Sequence, residues 1–338
     1  MHIALYNDTI NNKNFGCQLV SHSLRKALSD YYPDSTVEYL PMERAVKCKK
    51  TPDIIIVNGE GSFGHVSKIV GGYSMLTYIL DNYKVPVYLV NTSIQVPQSY
   101  IETTEKLLSR CALVTLREPI SYEFLKKNTS LTNLKIFPDI GTYLLKDEPE
   151  PIKDIDIAFG LGAIVKFIGK QSIKIKEFVE IFNELAEQGY TVVAQQFLGN
   201  PINDLEALKP YLSHKVMTND GLFKDYFDTV KRARLNITGR HHGAVMSFMG
   251  KTPFFTYESN MWKTEGDQLL YGPFDKFTFK KFDKSKLKEN IISNLNKYID
   301  HRQTLDSKYS VIKNTFGGHI EVTKNNKLQG LEIYYEAR

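Results

Sequence analysis

The chain has 338 residues, 42% of them hydrophobic and 24% charged, with a formal net charge of +5. That length exceeds one typical core and predicts two domains of roughly 150 residues each; the composition is that of a soluble globular enzyme. The charge is mild, with no long Lys/Arg run and no aromatics among basic clusters, which argues against a nucleic-acid partner and fits anionic small molecules or peripheral attraction to a membrane surface.

Cys17, Cys48 and Cys111 are widely spaced and form no C-x-x-C pair. This argues against a disulfide framework and a structural zinc. The opening MHIALYND has no signal-peptide pattern, and no apolar run approaches the roughly 20 residues that span a bilayer. The expectation is a cytoplasmic protein, at most associated with the inner face of the membrane.

Short apolar runs predict strands at Ile3–Tyr6, Val37–Leu40, Ile54–Val57, Val87–Val90, Leu113–Leu116 and Lys135–Phe137. Helical patterns lie between them, among them Cys17–Leu28, Tyr100–Leu108 and Ser121–Lys127. Near-continuous β-branched strands alternating with helices imply a parallel sheet covered on both faces. The stretch KDEPEPIK at Lys146–Lys153 reads as a linker.

A second alternation follows. It runs through strand Ile155–Phe159, helix Ile175–Gln188, strand Tyr190–Gln195, a short helix near Asp204–Leu208, and a strand near Lys215–Thr218. Helix Phe223–Arg232, strand Leu235–Thr238, the segments His241–Met249 and Pro253–Tyr257, and a long polar helix Ser285–Asp300 complete it. Two α/β halves, 1–146 and 153–338, would face each other across a cleft. Open parallel sheets bind ligands at the C-terminal ends of their strands, so functional residues are expected in the loops there.

Several such loops carry chemistry. The first strand ends in Asn7-Asp8-Thr9 and leads to Asn14-Phe15-Gly16-Cys17. A Gly-containing helix start offers backbone N–H groups to an anion, or is simply a capped turn. After the third strand comes Asn58-Gly59-Glu60-Gly61-Ser62-Phe63-Gly64-His65. Its glycines allow close approach of a substrate, and Glu60 with His65 makes a plausible proton-transfer pair; the alternative is a flexible polar loop. Arg117 follows the fifth strand and either holds a carboxylate or phosphate or pairs with Asp139.

In the second half, Thr238-Gly239-Arg240-His241-His242-Gly243 delivers a guanidinium and imidazoles into a small-residue helix start. The guanidinium suits phosphate or carboxylate, and histidine exchanges protons near neutral pH. Adjacent histidines diverge, so metal ligation is disfavoured. Glu258, Trp262 and Lys263 follow the next strand, where Trp262 could stack on a sugar and Lys263 meet a phosphate; packing is the alternative. Gly160 and Gly162, beside Lys166, could admit an anion, although a lone G-x-G is weak. Gln195, Gln196 and Phe197, with Asp204 downstream, could line the cleft.

Taken in order, these segments resemble the polysaccharide pyruvyl transferase family. The carriers are NFG at Asn14–Gly16, NGEGS at Asn58–Ser62, LREPISYEFLK at Leu116–Lys126, PDIG at Pro138–Gly141, GRHHGAVMSFMGKTPF at Gly239–Phe254 and WKTEG at Trp262–Gly266. The resemblance implies two Rossmann-like domains in a glycosyltransferase-B-like fold, the first on the acceptor side and the second on the donor side. It also implies transfer of a pyruvyl ketal from phosphoenolpyruvate to a sugar diol of a polysaccharide or lipid-linked precursor, without a metal or other cofactor. Arg240, Arg117 and Lys263 would then hold the donor, His242 would protonate its methylene carbon, and Glu60 or His65 would take the hydroxyl proton. Asn14, Gly16, Gly59, Gly61, Ser62, Gly160, Gly162, Glu258 and Trp262 would line the substrates. The C-terminal helix is expected over the domain junction.

Two positions depart from the family pattern. Glu60 stands where a glycine is usual, and Cys17 where an acidic residue is common. A cleft carboxylate also suits an inverting glycosyltransferase with a nucleotide-sugar donor and Glu60 as base, which is the alternative reading. A non-catalytic glycan-binding role is a third.

Overall fold

A computed structural model describes residues 1–41, 46–63, 70–146, 149, 152–162, 175–197, 204–257, 261–273, 278–279 and 283–331. The chain forms two compact units. The first comprises Met1–Asn11, Val20–Leu144 and Asn314–Arg338, and the second Asn12–Leu19 and Leu145–Lys313.

The first unit is built on strands β1 (His2–Tyr6), β2 (Thr36–Leu40), β3 (Ile54–Glu60), β4 (Val87–Thr92), β5 (Leu113–Leu116) and β6 (Leu134–Ile136). They pair in the order β2-β1-β3-β4-β5-β6, each neighbouring pair parallel. Parallel pairing requires crossovers, and these carry α1 (Phe15–Tyr31), α2 (Val70–Asn82), α3 (Ile101–Leu108) and α4 (Pro119–Asn128), with α5 (Gly141–Leu145) after β6. Ile55, Ile56 and Val57 are fully buried, as expected for a central strand covered on both faces.

The second unit repeats the plan. Strands β7 (Ile155–Phe159), β8 (Val192–Gln195), β9 (Met217–Asn219), β10 (Ala233–Thr238), β11 (Phe254–Tyr257) and β12 (Thr278–Phe279) form a parallel sheet ordered β12-β11-β10-β7-β8-β9. Its helices are α6 (Ile175–Glu187), α7 (Asp204–Leu208), α8 (Phe223–Arg232), α9 (His241–Met249), α10 (Lys263–Leu270), α11 (Lys284–Asn296) and α12 (Tyr298–Ile312). On α6, Phe178, Ile181, Phe182 and Leu185 recur at helical spacing and are buried, with Phe182 stacked on Phe159 at 3.7 Å.

The α/β alternation and its strand positions follow the sequence pattern closely. Three features differ. Strand β3 continues through Asn58, Gly59 and Glu60, because Glu60 pairs with Thr92 of β4 and its carbonyl accepts the Ser93 N–H at 2.8 Å. The long polar helix is two helices, broken at Lys297. The chain end also does not stay with residues 153–338: α13 (Gly318–Lys324) packs with β4 in the first unit. No helix among the described residues is long and apolar enough to cross a membrane.

Burial of His319 on α13 explains why the chain returns. Its Nδ1 accepts from Thr115 Oγ1 at 2.6 Å and from the Asn91 N–H at 3.3 Å, and its ring meets Phe137 edge-on at 5.5 Å. Two donors on one nitrogen require that nitrogen to be unprotonated. Burial, the largest influence, pushes the pKa of His319 down to about 3. A folded pKa below the unfolded value of about 6.5 means this contribution is complete above pH 6.5 and lost as pH falls towards 3. Acidification should therefore cost wild type roughly 1.4 kcal/mol per pH unit below 6.5 at this position. His319→Asn keeps an acceptor without a titrating group. It should be less stable at pH 7 yet lose less on acidification, as urea unfolding at pH 7, 5.5 and 4.5 would register.

Candidate active site

Strand β10 runs from the core straight into α9, whose nine residues are all buried. Gly243 and Ala244 let this first turn sit close to its neighbours; a Cβ on Gly243 would lie 2.4 Å from Thr238 Oγ1. Arg240 is the N-cap residue, in extended conformation, and only 8% exposed. Its Nε donates to the Leu161 carbonyl at 3.3 Å and its Nη2 to Asp204 Oδ2 at 3.3 Å, with the guanidinium over the Phe197 ring. Asp204, at the start of α7, also accepts the Phe197 N–H at 2.9 Å.

His241 and His242 are the first two residues of α9. Nδ1 of His241 lies 2.8 Å from both carboxylate oxygens of Asp267 on α10. The two imidazoles do not diverge as expected of adjacent side chains: they touch, with centroids 4.5 Å apart and planes at 70°. His242 also rests on Gly16: a Cβ there would fall 2.0 Å from its Nδ1. Only a residue without a side chain fits.

The segment that brings Gly16 here is anchored by its neighbours. Phe15 packs against Phe197 and Tyr226, with centroids 6.0 and 6.3 Å away. Asn14 Oδ1 accepts from the Gly16 N–H at 2.9 Å and the Cys17 N–H at 3.4 Å. Asn14 is thus the cap of α1, and those two N–H groups are taken by protein rather than offered to an anion.

The glycines after β7 also serve packing. Gly160 donates to the Ile237 carbonyl at 3.0 Å, and its own carbonyl accepts from Tyr257 Oη at 2.7 Å. Gly162 and Gly239 approach backbone to backbone, where a Cβ on either would meet the other at 3.0 Å or less. Burial pushes the Tyr226 and Tyr257 hydroxyls well above the ordinary phenol range, so both remain protonated donors. Trp262 and Lys263 are half-buried at the start of α10. Ala163, Lys166 and Glu258 lie outside the described residues.

In the first unit, three neighbouring strands end in left-handed residues that are not glycine: Asn7 (φ 61°), Glu60 (φ 41°) and Asn91 (φ 56°). Asparagine tolerates this region; glutamate visits it rarely. Glu60 is held there by Asn58 Nδ2 and Thr9 Oγ1, which donate to its Oε1 at 2.9 and 2.8 Å. Gly59 packs on β4, where a Cβ would lie 2.3 Å from that of Thr92. Gly61 and Ser62 form the turn that follows, with the Ser62 N–H on the Gly59 carbonyl at 3.0 Å. His65 lies outside the described residues. Arg117 is 1% exposed; its Nη1 donates to Asp139 Oδ2 at 3.0 Å and its Nε to Ser93 Oγ at 3.0 Å. Of its two readings, the brace between loops is the one these bonds make.

Of the residues named from the sequence, Arg240, His242 and Gly16 are brought together in the second unit. Sequence reasoning missed Asp267 as the partner of His241 and Asp204 as the partner of Arg240. No local spacing links those pairs; only the sheet crossovers do.

Two parallel Rossmann-like units define a protein of the glycosyltransferase-B fold class, and solved structures share it. A protein described as a UDP-N-acetylglucosamine 2-epimerase, from Listeria monocytogenes, matches with a TM-score of 0.67 and 11% identity over 99% of both chains. The S. aureus MnaA–UDP structure gives 0.65 and 12% over 99% of this chain and 100% of that one. Anabaena HepE, in complex with UDP and glucose, gives 0.59 and 11% over 96% and 98%. At such identities the likeness is one of fold. No protein of curated function matches the chain.

The family follows from the sequence profile. Residues 14–260 match the polysaccharide pyruvyl transferase family, and the chain belongs to it.

The Gly16 contact yields a direct test. Gly16→Ala must displace the His242 ring, with an overpacking cost of about 1–3 kcal/mol. Imidazole NMR signals of His242 should shift in this variant while those of His319 stay in place. Unmoved His242 signals would show that the contact does not hold the ring.

Proposed function

We propose that the protein transfers a pyruvyl group from phosphoenolpyruvate to a pair of sugar hydroxyls, forming a ketal on a polysaccharide or its lipid-linked precursor. The observation that carries this reading is the meeting of Arg240, His242 and Gly16, three residues of the family motifs, at the start of α9. Arg240 binds the donor's phosphate or carboxylate, with Asp204 and Phe197 fixing its fork, and Lys263 supplies a second cation. His242, as imidazolium, gives a proton to the methylene carbon, and C2 gains oxocarbenium character. One sugar hydroxyl attacks C2 and loses its proton to Glu60. Phosphate leaves with the C–O bond electrons, and the second hydroxyl closes the ketal, giving its proton to the imidazole that His242's first donation left neutral.

A second reading is favoured by Glu60 itself. A carboxylate at a position the family usually leaves to glycine, held by Asn58 and Thr9, suits an inverting glycosyltransferase that deprotonates its acceptor. A nucleotide sugar would then be the donor; the MnaA structure holds UDP, and the HepE structure UDP and glucose.

Thermal shift separates the two. Phosphoenolpyruvate should raise the melting temperature and a panel of nucleotide sugars should not; the reverse result overturns ketal transfer. Arg240→Ala should weaken donor binding by about 2–4 kcal/mol in a folded protein. Glu60→Gln retains the shape but loses the base. Turnover should fall ~10²–10⁴-fold with donor affinity nearly constant. Unchanged turnover would leave Glu60 as a cap for its own turn.

A further inference from the structure

The second unit contains a buried carboxylate–imidazole pair that the reaction above leaves unused. Asp267 is fully buried and lies 2.8 Å from Nδ1 of His241 through both oxygens. An ionised carboxylate only accepts, so Nδ1 carries a proton. The rotamer and tautomer of His241 are thereby set from α10.

The His241 ring meets His242 at 4.5 Å and 70°, and His242 meets the bare Cα of Gly16. Gly16 thus makes room for the His242 ring, and His241 meets it edge-on. Simple packing does not call for this arrangement. Apolar residues of similar volume fill a buried site at equal or lower cost than an ionisable pair. What the pair adds is direction: the hydrogen bond to Asp267 fixes the plane of the His241 imidazole, and His242 packs edge-on against that fixed ring.

We propose that Asp267 is a positioning residue that fixes His241, and through His241 the ring plane of His242. The inference rests on the role given to His242 above, so one arm of its test needs no substrate.

In that arm, ¹⁵N NMR of the imidazoles is recorded on wild type, Asp267→Asn and Asp267→Leu without ligand. His241 should be protonated at Nδ1 in wild type and in Asp267→Asn, whose carbonyl oxygen still accepts. Asp267→Leu should lose that state and shift the His242 signals as well. A wild-type His241 protonated only at Nε2, or His242 signals indifferent to Asp267→Leu, would overturn the proposal.

In the kinetic arm, with phosphoenolpyruvate and a sugar acceptor, Asp267→Leu should lower kcat about 10–100-fold with KM for phosphoenolpyruvate within about threefold. Asp267→Asn should recover most of the loss. The double variant Asp267→Leu with His241→Phe should be no worse than the poorer single one, because both cut the same chain of contacts. Losses that multiply, or that track melting temperature alone, count against the proposal. If Asp267→Leu does not fold, Asp267→Asn and His241→Phe decide in both arms. No turnover of phosphoenolpyruvate by wild type would defeat the proposed function, and the NMR arm would still decide this chain of contacts.

Discussion

An imidazole lying on a residue that has no side chain is the contact on which the second unit's site depends. His242 reaches its position only because β10 ends where α9 begins, and because Gly16 leaves room for the ring. Gly16 in turn is held by Phe15, wedged against Phe197 and Tyr226. Phe197 also lies under the Arg240 guanidinium and donates its N–H to Asp204. Aromatic packing and charge placement are therefore one structure, and a change at any of these residues is felt by the others.

Buried basic side chains in each unit face a carboxylate: in the second, Arg240 with Asp204 and His241 with Asp267; in the first, Arg117 with Asp139. Isolated charges could not be buried at this depth. Such pairs contribute little net stability relative to apolar packing but fix geometry. Arg117 is bound to its two partners at 3.0 Å, whereas both Arg240 bonds are 3.3 Å long.

Glu60 carries a different cost. A non-glycine residue in the left-handed region costs of order 1–3 kcal/mol and persists only where the surroundings over-determine it. Here Asn58 and Thr9 grip the carboxylate and the Ser93 N–H grips the carbonyl. Glycine would adopt this backbone without strain.

Much of this was legible in the amino-acid sequence. Hydrophobic period alone predicted the two α/β alternations and most strand positions, because a strand buried on both faces must read as a continuous apolar run. The division near Lys146 was written in charge and proline. Arg240, His242 and the glycine of NFG could be named because their chemistry is intrinsic to the residue and needs no partner to be recognised. Whom each residue meets was not legible. Asp204 and Asp267 are ordinary helix residues until α7 and α10 are placed, and the return of α13 to the first unit follows from the burial of His319 beneath Asn91 and Thr115 rather than from any local signal. Local pattern reports how a segment satisfies its own backbone and apolar face; the pairing of charges and the room left for a ring are decided by crossovers between segments distant in the chain, and so by the tertiary structure alone.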